Sequence, residues 1–265
     1  MFSGFTLFGK LFISSYAICS IFGIFTGCPL AIYYYKKRTG DDISMIFVFL
    51  FGAIGVFLGM HLLFGITNIE YWGELLKATD FIDFFKRFGI LFGGSVFYGG
   101  LIGGLIAGGI SAKVQKLPLA DVTDCAAPAI AIFHGFGRIG CFLGGCCYGV
   151  EWEHGITFHD SLIESANGVP RVPIQLFESG FEFALGILLW VLVAKGKLRG
   201  RLLCVYLLVY PVGRFILEFW RGDDYRGFLF GLSTSQFISI CLFVGTLIFV
   251  ISTYAANKRK KEKQL

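Results

Sequence analysis

Seven apolar segments constrain the fold of this 265-residue chain more than any other feature. A helix rises 1.5 Å per residue, so about 20 apolar residues span the hydrocarbon core of a bilayer. Hydrophobic residues make up 55% of the chain and charged residues only 15%, a composition that excludes a water-soluble domain. We therefore predict an all-α integral membrane protein with seven transmembrane helices, built as a single transmembrane domain over 1–265.

Charged or polar stretches separate the predicted spans, which cover about 11–34, 45–66, 88–112, 119–148, 173–195, 202–220 and 235–254. The stretch 67–87 mixes aromatic and charged residues, a pattern typical of short helices lying in the interface. A polar outer loop is predicted over 149–172 and a basic cytoplasmic tail over 255–265.

The distribution of lysine and arginine predicts the orientation. With the N-terminus outside and the C-terminus cytoplasmic, the inner loops and tail hold 14 Lys and Arg, and the outer loops hold 6. The short interfacial helices then lie on the outer side. The net charge of +5 resides largely in loops and tail, so it indicates orientation and no nucleic-acid partner. No cleavable signal peptide is expected, because no basic region precedes the first span.

The segment 134–149, HGFGRIGCFLGGCCYG, is the main candidate for a polar site. It places Arg138 in an apolar span, where a charged group is costly unless it is paired or hydrated. Cys141, Cys146 and Cys147 are candidates for metal ligands or redox groups. Their C-x4-C-C spacing is not a usual ligand pattern, so we expect buried small side chains, no metal and no cofactor. The other cysteines predict no disulfide framework.

A second set of polar residues lies in the sixth span. Tyr210, Arg214, Glu218 and Arg221 follow at steps of four, four and three, which places them on one face of an α-helix. Arg214 lies about 18 Å from the inner end of that span, at a depth similar to Arg138. Two arginines that converge in the outer half of the membrane predict a pocket for an anionic group, and guanidinium groups suit phosphate oxygens.

Each of these residues also has a structural interpretation. Arg214 and Glu218 could form an i,i+4 pair that closes a packing seam. His134 shares a face with Arg138 and is either a hydrogen-bonded packing residue or a base. Tyr98 is either a packed aromatic or a ligand contact. Gln175 and Glu178 either anchor the start of the fifth span near the outer surface or support the arginines.

Four motifs carry a resemblance: FYGGLIGG at 97–104, Asp124-x3-Pro128 leading to GRIGCF at 137–142, RVPIQLFES at 171–179 and YPVGRFILEFWR at 210–221. Together they resemble the prolipoprotein diacylglyceryl transferase family. The resemblance implies a multi-pass protein of the bacterial cell (inner) membrane. The resemblance also implies membrane lipids as partners and a reaction that moves the diacylglyceryl group of phosphatidylglycerol onto the thiol of a lipobox cysteine in a prolipoprotein signal peptide. Glycerol 1-phosphate is released.

By matching motif positions, Arg138 and Arg214 take the family's essential arginine roles. The remaining substrate contacts carried over are Tyr210, Glu218, Arg221, Cys141, Gly99, Gly100 and Gly137, the glycines leaving room for lipid. The chain departs from the family pattern at Tyr98, where members carry the histidine proposed as base, and at Cys141, where they carry asparagine. Members usually also carry a glutamate near Cys146, and the loop 149–172 is short for the family's outer head. Because a phenol is a poor base at neutral pH, His134 is the alternative base.

Three other functions stay open on the sequence. A related transferase would keep the anionic lipid donor and use another acceptor, given Tyr98 and Cys141. A membrane thiol–disulfide oxidoreductase would use Cys146 and Cys147, although adjacent cysteines rarely form an easy reversible disulfide. A non-catalytic lipid carrier is a further alternative.

Overall fold

A computed structural model describes residues 4–7, 11–68, 70–94, 97–161, 163–223 and 228–262. The described helices are α1 (Ser15–Thr39), α2 (Ile43–Thr67), α3 (Glu70–Leu75), α4 (Phe81–Leu91), α5 (Phe97–Val114), α6 (Leu119–Gly144), α7 (Ile174–Ala194), α8 (Leu202–Leu217) and α9 (Thr234–Glu262). Three two-stranded antiparallel hairpins accompany them: β1 (Gly4–Leu7) with β2 (Leu11–Ser14), β3 (Glu151–Thr157) with β4 (Pro170–Arg171), and β5 (Phe228–Leu229) with β6 (Leu232–Ser233).

Within this described part, six helices are long and apolar enough to cross a membrane. They correspond to the predicted spans except the third, so the prediction of an all-α membrane protein is confirmed at this level. The third apolar segment, predicted over 88–112, is divided instead. Helix α4 ends at Leu91 and α5 begins at Phe97, with Gly93 and Gly94 between them. Glycine is a poor helix former, which explains the break.

The stretch 67–87 contains short helices, as predicted. Helix α3 and most of α4 lie there, and Asp80 caps the start of α4 by accepting a hydrogen bond from the backbone N–H of Asp83 at 2.7 Å. Arg87 donates to Asp83 at 2.8 Å and so links the first and second turns of α4. The position of these helices in the membrane interface stays a prediction.

Several predicted boundaries differ from the structure. Helix α6 ends at Gly144, short of residue 148, because Gly145 takes a left-handed conformation with φ +72°. Helix α9 continues to Glu262, so the tail predicted over 255–265 is helical in its described part. The loop predicted over 149–172 contains the β3–β4 hairpin, and its Phe158 and Ala166 form a small buried core with Tyr148.

The chain forms two compact units, one made of residues 1–34 and 123–265 and the other of residues 35–122. Whether they act as the single predicted domain stays a prediction. In the second unit, α2 and α5 pack through glycines: Gly55 and Gly59 on α2 meet Gly99 and Gly103 on α5. A Cβ at Gly103 would overlap the main-chain oxygen of Gly55, so this close packing requires glycine.

In the first unit, hydrogen bonds fix how α6, α7 and α8 pack against one another. The buried carboxylate of Asp124 in α6 accepts from the N–H groups of Gly200 and Leu202, at 2.6 and 2.9 Å, at the start of α8. The Ser179 hydroxyl in α7 donates to the main-chain oxygen of Gly135 in α6 at 2.9 Å. These bonds hold the polar faces of the three helices toward one another.

Candidate functional site

Three helical segments of the first unit each contribute two ionisable side chains four residues apart. Helix α6 supplies His134 and Arg138, α7 supplies Glu178 and Glu182, and α8 with the turn after it supplies Arg214 and Glu218. Residues at i and i+4 lie on the same face of a helix, so each segment presents both of its groups to the others.

The two arginines meet at a single carboxylate oxygen. Arg138 Nη2 lies 2.9 Å from Glu178 Oε1, and Arg214 Nε lies 3.7 Å from the same atom. Arg214 also forms an i,i+4 ion pair with Glu218, through Nη1 and Oε2 at 2.5 Å. The structure therefore contains both the predicted convergence of guanidinium groups from separate helices and the Arg214–Glu218 pair of the structural interpretation.

His134 contacts the carboxylate of Glu182, which is not among the predicted site residues. Its Nδ1 lies 2.9 Å from Glu182 Oε1, and its Nε2 lies 3.8 Å from Glu178 Oε1. The imidazole also contacts the Tyr210 ring edge to face, with 5.2 Å between centroids, and Tyr210 stacks on Tyr206. A histidine whose Nδ1 faces a carboxylate has a fixed orientation, with Nε2 as the second nitrogen that can accept a proton.

Burial differs across this cluster of six side chains. The side chains of Glu178, Glu182 and Glu218 are at most 2% exposed, whereas those of Arg138 and His134 are 14% and 19% exposed. Among the described residues, Arg138 Nε is a buried donor without a hydrogen-bond partner. A ligand would therefore reach the cluster on the side where His134 and Arg138 lie, and it would find a free donor there.

Charge is balanced among the two arginines and the two carboxylates that pair with them. Arg138 and Arg214 carry two positive charges, and Glu178 and Glu218 carry two negative ones when ionised. Buried charges need such partners, because an unpaired ion in a low-dielectric medium costs several kcal/mol. An anionic ligand must therefore compete with Glu178 for Arg138, or share the guanidinium group with it.

Arg221 lies elsewhere than predicted. Helix α8 ends at Leu217 and a single 3-10 turn follows over Glu218–Trp220, so Arg221 has extended backbone and leaves the helical face on which it was placed. Its buried guanidinium donates to both carboxylate oxygens of Asp223, at 2.8 and 2.6 Å. Burial disfavours the charged form of Arg221, but the bonds to Asp223 and nearby negative charge outweigh it and raise the pKa of Arg221.

The second half of α6 contains Gly137 and Cys141. Gln175 lies near its end, in the first turn of α7. Gln175 is buried, and its Nε2 donates to the main-chain oxygen of Cys146 at 2.7 Å. It supports the segment after α6, and the arginines receive their support from Glu178. An added Cβ at Gly137 would meet only the Tyr16 ring, at 3.9 Å, which leaves space beside Arg138.

Three predicted residues belong to the second unit. Tyr98 lies in the first turn of α5, and its side chain falls outside the described residues. Gly99 and Gly100 contact α2, so the structure gives both a packing role. A contact of these residues with lipid, or of Tyr98 with the arginines, stays a prediction.

The sequence did contain a signal for Glu182. A second carboxylate four residues after Glu178, well inside an apolar span, is expensive in a bilayer and indicates a partner on a neighbouring helix. Asp223 had no such signal, because its pairing with Arg221 depends on the turn that ends α8.

These features define a class: a membrane protein with a buried cluster of arginines and carboxylates beside a carboxylate-paired histidine. The prolipoprotein diacylglyceryl transferase family model matches residues 4–252, and the chain belongs to this family. The phosphatidylglycerol–prolipoprotein diacylglyceryl transferase 2 of Clostridium perfringens is 35% identical over 261 residues, covering 97% of this chain and 96% of the relative. The transferase of Clostridium tetani is 35% identical over 94% of this chain and 97% of the relative. That of Treponema denticola is 30% identical over 91% and 83%. The predicted resemblance is confirmed.

Proposed function

We propose that this protein transfers the diacylglyceryl group of phosphatidylglycerol to the thiol of a lipobox cysteine in prolipoproteins and releases glycerol 1-phosphate. Family membership and the printed names of the relatives support this function. The structural observation that carries it is the meeting of Arg138 and Arg214 at one oxygen of Glu178. Two guanidinium groups at one point among apolar helices suit a lipid phosphate.

The reaction is a displacement at carbon. The cysteine sulfur forms a C–S bond with the glyceryl carbon as the C–O bond to phosphate breaks, and the phosphate oxygen leaves with the electron pair. Negative charge grows on that oxygen, and guanidinium donors already in place stabilise it most in a low-dielectric site. We assign this role to Arg138 and Arg214. The free Nε of Arg138 makes the first contact.

The acceptor thiol must lose its proton, and we assign this step to His134. Its exposure, its Nδ1 contact with Glu182 and its position four residues from Arg138 support the assignment. Glu182 acts as a positioning residue, since it faces the imidazole and orients it. Tyr210 contacts the same imidazole ring edge to face and further restricts its orientation.

We expect His134→Gln to lower the rate of thioether formation by about 10²–10⁴-fold at neutral pH, because the base is lost. Glu182→Gln should lower it less. The loss should shrink as pH rises, since more of the acceptor thiol ionises without a base. A pH–rate profile with lipobox peptide measures this, and His154→Gln, a change at an exposed loop histidine, is the control. Unchanged rates in His134→Gln together with a loss in Tyr98→Phe would assign the base role to Tyr98 instead.

The function itself is tested with purified protein, phosphatidylglycerol and a lipobox peptide. We expect a peptide with a new thioether-linked diacylglyceryl group and an equal amount of released glycerol phosphate, measured by mass spectrometry. Release of glycerol phosphate with another acceptor, and none with the peptide, would favour the related transferase. Full activity in Cys146→Ser/Cys147→Ser would exclude the oxidoreductase.

For the membrane arrangement we propose seven spans, with α5 as the third, in the bacterial inner membrane with the N-terminus outside. The support is that the basic clusters at the end of α1, at the end of α5, between α7 and α8 and at the end of α9 then share the cytoplasmic side. The short helices α3 and α4 lie in the outer interface.

A membrane-impermeant maleimide tests this orientation. We expect it to label Glu153→Cys in intact cells, and Lys197→Cys only after permeabilisation, when the modified peptide is read by mass spectrometry. Labelling of both residues in intact cells would contradict the proposed topology.

A further inference from the structure

Three cysteine thiols cluster at the end of α6. The Sγ atoms of Cys141, Cys146 and Cys147 all lie within 4.8 Å of one another. The linear spacing gave no sign of this, because the turn after α6 brings them together. Gly145 and Cys147 both take left-handed conformations, with φ +72° and +56°, and the N–H of Cys146 donates to the main-chain oxygen of Cys141 at 3.1 Å.

We propose that these cysteines form a three-thiolate site for a thiophilic metal cation, of the kind represented by Zn²⁺, Cd²⁺ and Cu⁺. Thiolate sulfurs bind zinc at about 2.3 Å, which in tetrahedral geometry places them about 3.8 Å apart. The observed separations require inward shifts of about 1 Å or less. Soft thiolate ligands select copper(I) and zinc over hard cations such as Mg²⁺.

Hydrogen bonds from neighbouring side chains fix the main chain of the turn that carries Cys146. Gln175, which is 1% exposed, donates from Nε2 to the main-chain oxygen of Cys146 at 2.7 Å. The Ser161 hydroxyl donates to the main-chain oxygen of Gly145 at 3.2 Å. These bonds limit the movement of the turn and so help to keep the three thiols close together.

Charge also favours the site. Three thiolates around a divalent cation leave one net negative charge, and around a monovalent cation two. Arg138 and Arg221 lie near the Cys147 thiol, but each is already paired with a carboxylate, Glu178 and Asp223, so they offset only part of this negative charge. The proposal concerns binding and does not depend on the transferase activity.

Titration of the purified full-length protein with Cd²⁺, in detergent with a non-thiol reductant and without oxygen, tests the site. Thiolate-to-metal charge-transfer absorption in the ultraviolet should saturate at one ion per chain. Cys141→Ser/Cys146→Ser/Cys147→Ser should abolish the signal, and Cys147→Ser alone should weaken binding by more than about 100-fold, because second-shell changes alone cost 10–100-fold.

A matched control replaces three other described cysteines, Cys28, Cys204 and Cys241, by serine and should keep the one-ion signal. Absence of the signal in the unchanged protein would overturn the proposal, and so would its persistence in the triple variant or its loss in the control. If the triple variant fails to fold, the graded loss in Cys147→Ser decides, and an unchanged affinity there would overturn the site.

Discussion

Arg138→Lys is expected to lower kcat/KM for thioether formation by about 10²–10³-fold while the protein stays folded. Lysine keeps the positive charge that Glu178 requires, so the buried carboxylate retains a counter-ion. It loses the planar fork of donors, including the Nε that has no protein partner and is free to meet a phosphate. Removing one donor to developing charge costs a rate factor of that size in enzymes that stabilise oxyanions.

The same substitution at Arg214 is expected to give a similar loss. Alanine is a poorer test at both positions, because removing one partner of a buried ion pair costs about 3–5 kcal/mol of stability. A lower rate could then come from unfolding and not from the loss of a catalytic group. Arg259→Lys, a change at an exposed arginine of α9 beyond the apolar part of that helix, is the matched control and should leave the rate unchanged. Initial rates of glycerol phosphate release, with folding checked by thermal unfolding in detergent, measure the effect. A full rate in Arg138→Lys would contradict the assigned role.

Helical spacing made the core of this site predictable. Arg214 and Glu218 stand four residues apart, as do His134 and Arg138, and apolar surroundings make each charge conspicuous. The number of residues between the end of each span and its arginine predicted that the two arginines lie at a similar depth, because the rise of an α-helix is fixed. The contacts of Glu178 with both arginines show the convergence, and the depth of the pair in the membrane stays a prediction.

Features that depend on turns were not predictable in this way. Arg221 left the helical face because α8 tightens into a 3-10 turn after Leu217, which periodicity does not reveal. The three cysteines met because Gly145 and the non-glycine residue Cys147 adopt positive φ. A left-handed non-glycine residue is rare and has no sequence signature of its own.

Gly103→Ala is the second change with a large expected effect, here on stability. Alanine is the better helix former by about 1 kcal/mol, so propensity alone predicts a gain. Packing predicts the reverse, since the new methyl group would overlap the main-chain oxygen of Gly55. Forcing α2 and α5 apart should cost about 1–3 kcal/mol, as overpacking of a close contact does.

Gly109→Ala separates these two effects, because it lies in the same helix and an added Cβ there meets nothing within 4 Å. It should leave the free energy of unfolding unchanged or raise it, while Gly103→Ala lowers it, as measured by denaturant titration in one detergent. Equal changes in the two variants would show that helix propensity decides and that the α2–α5 contact is loose. Opposite signs would show that the glycines of FYGGLIGG are required where two helix backbones touch. Some positions of a family motif are then explained by helix packing and not by the reaction.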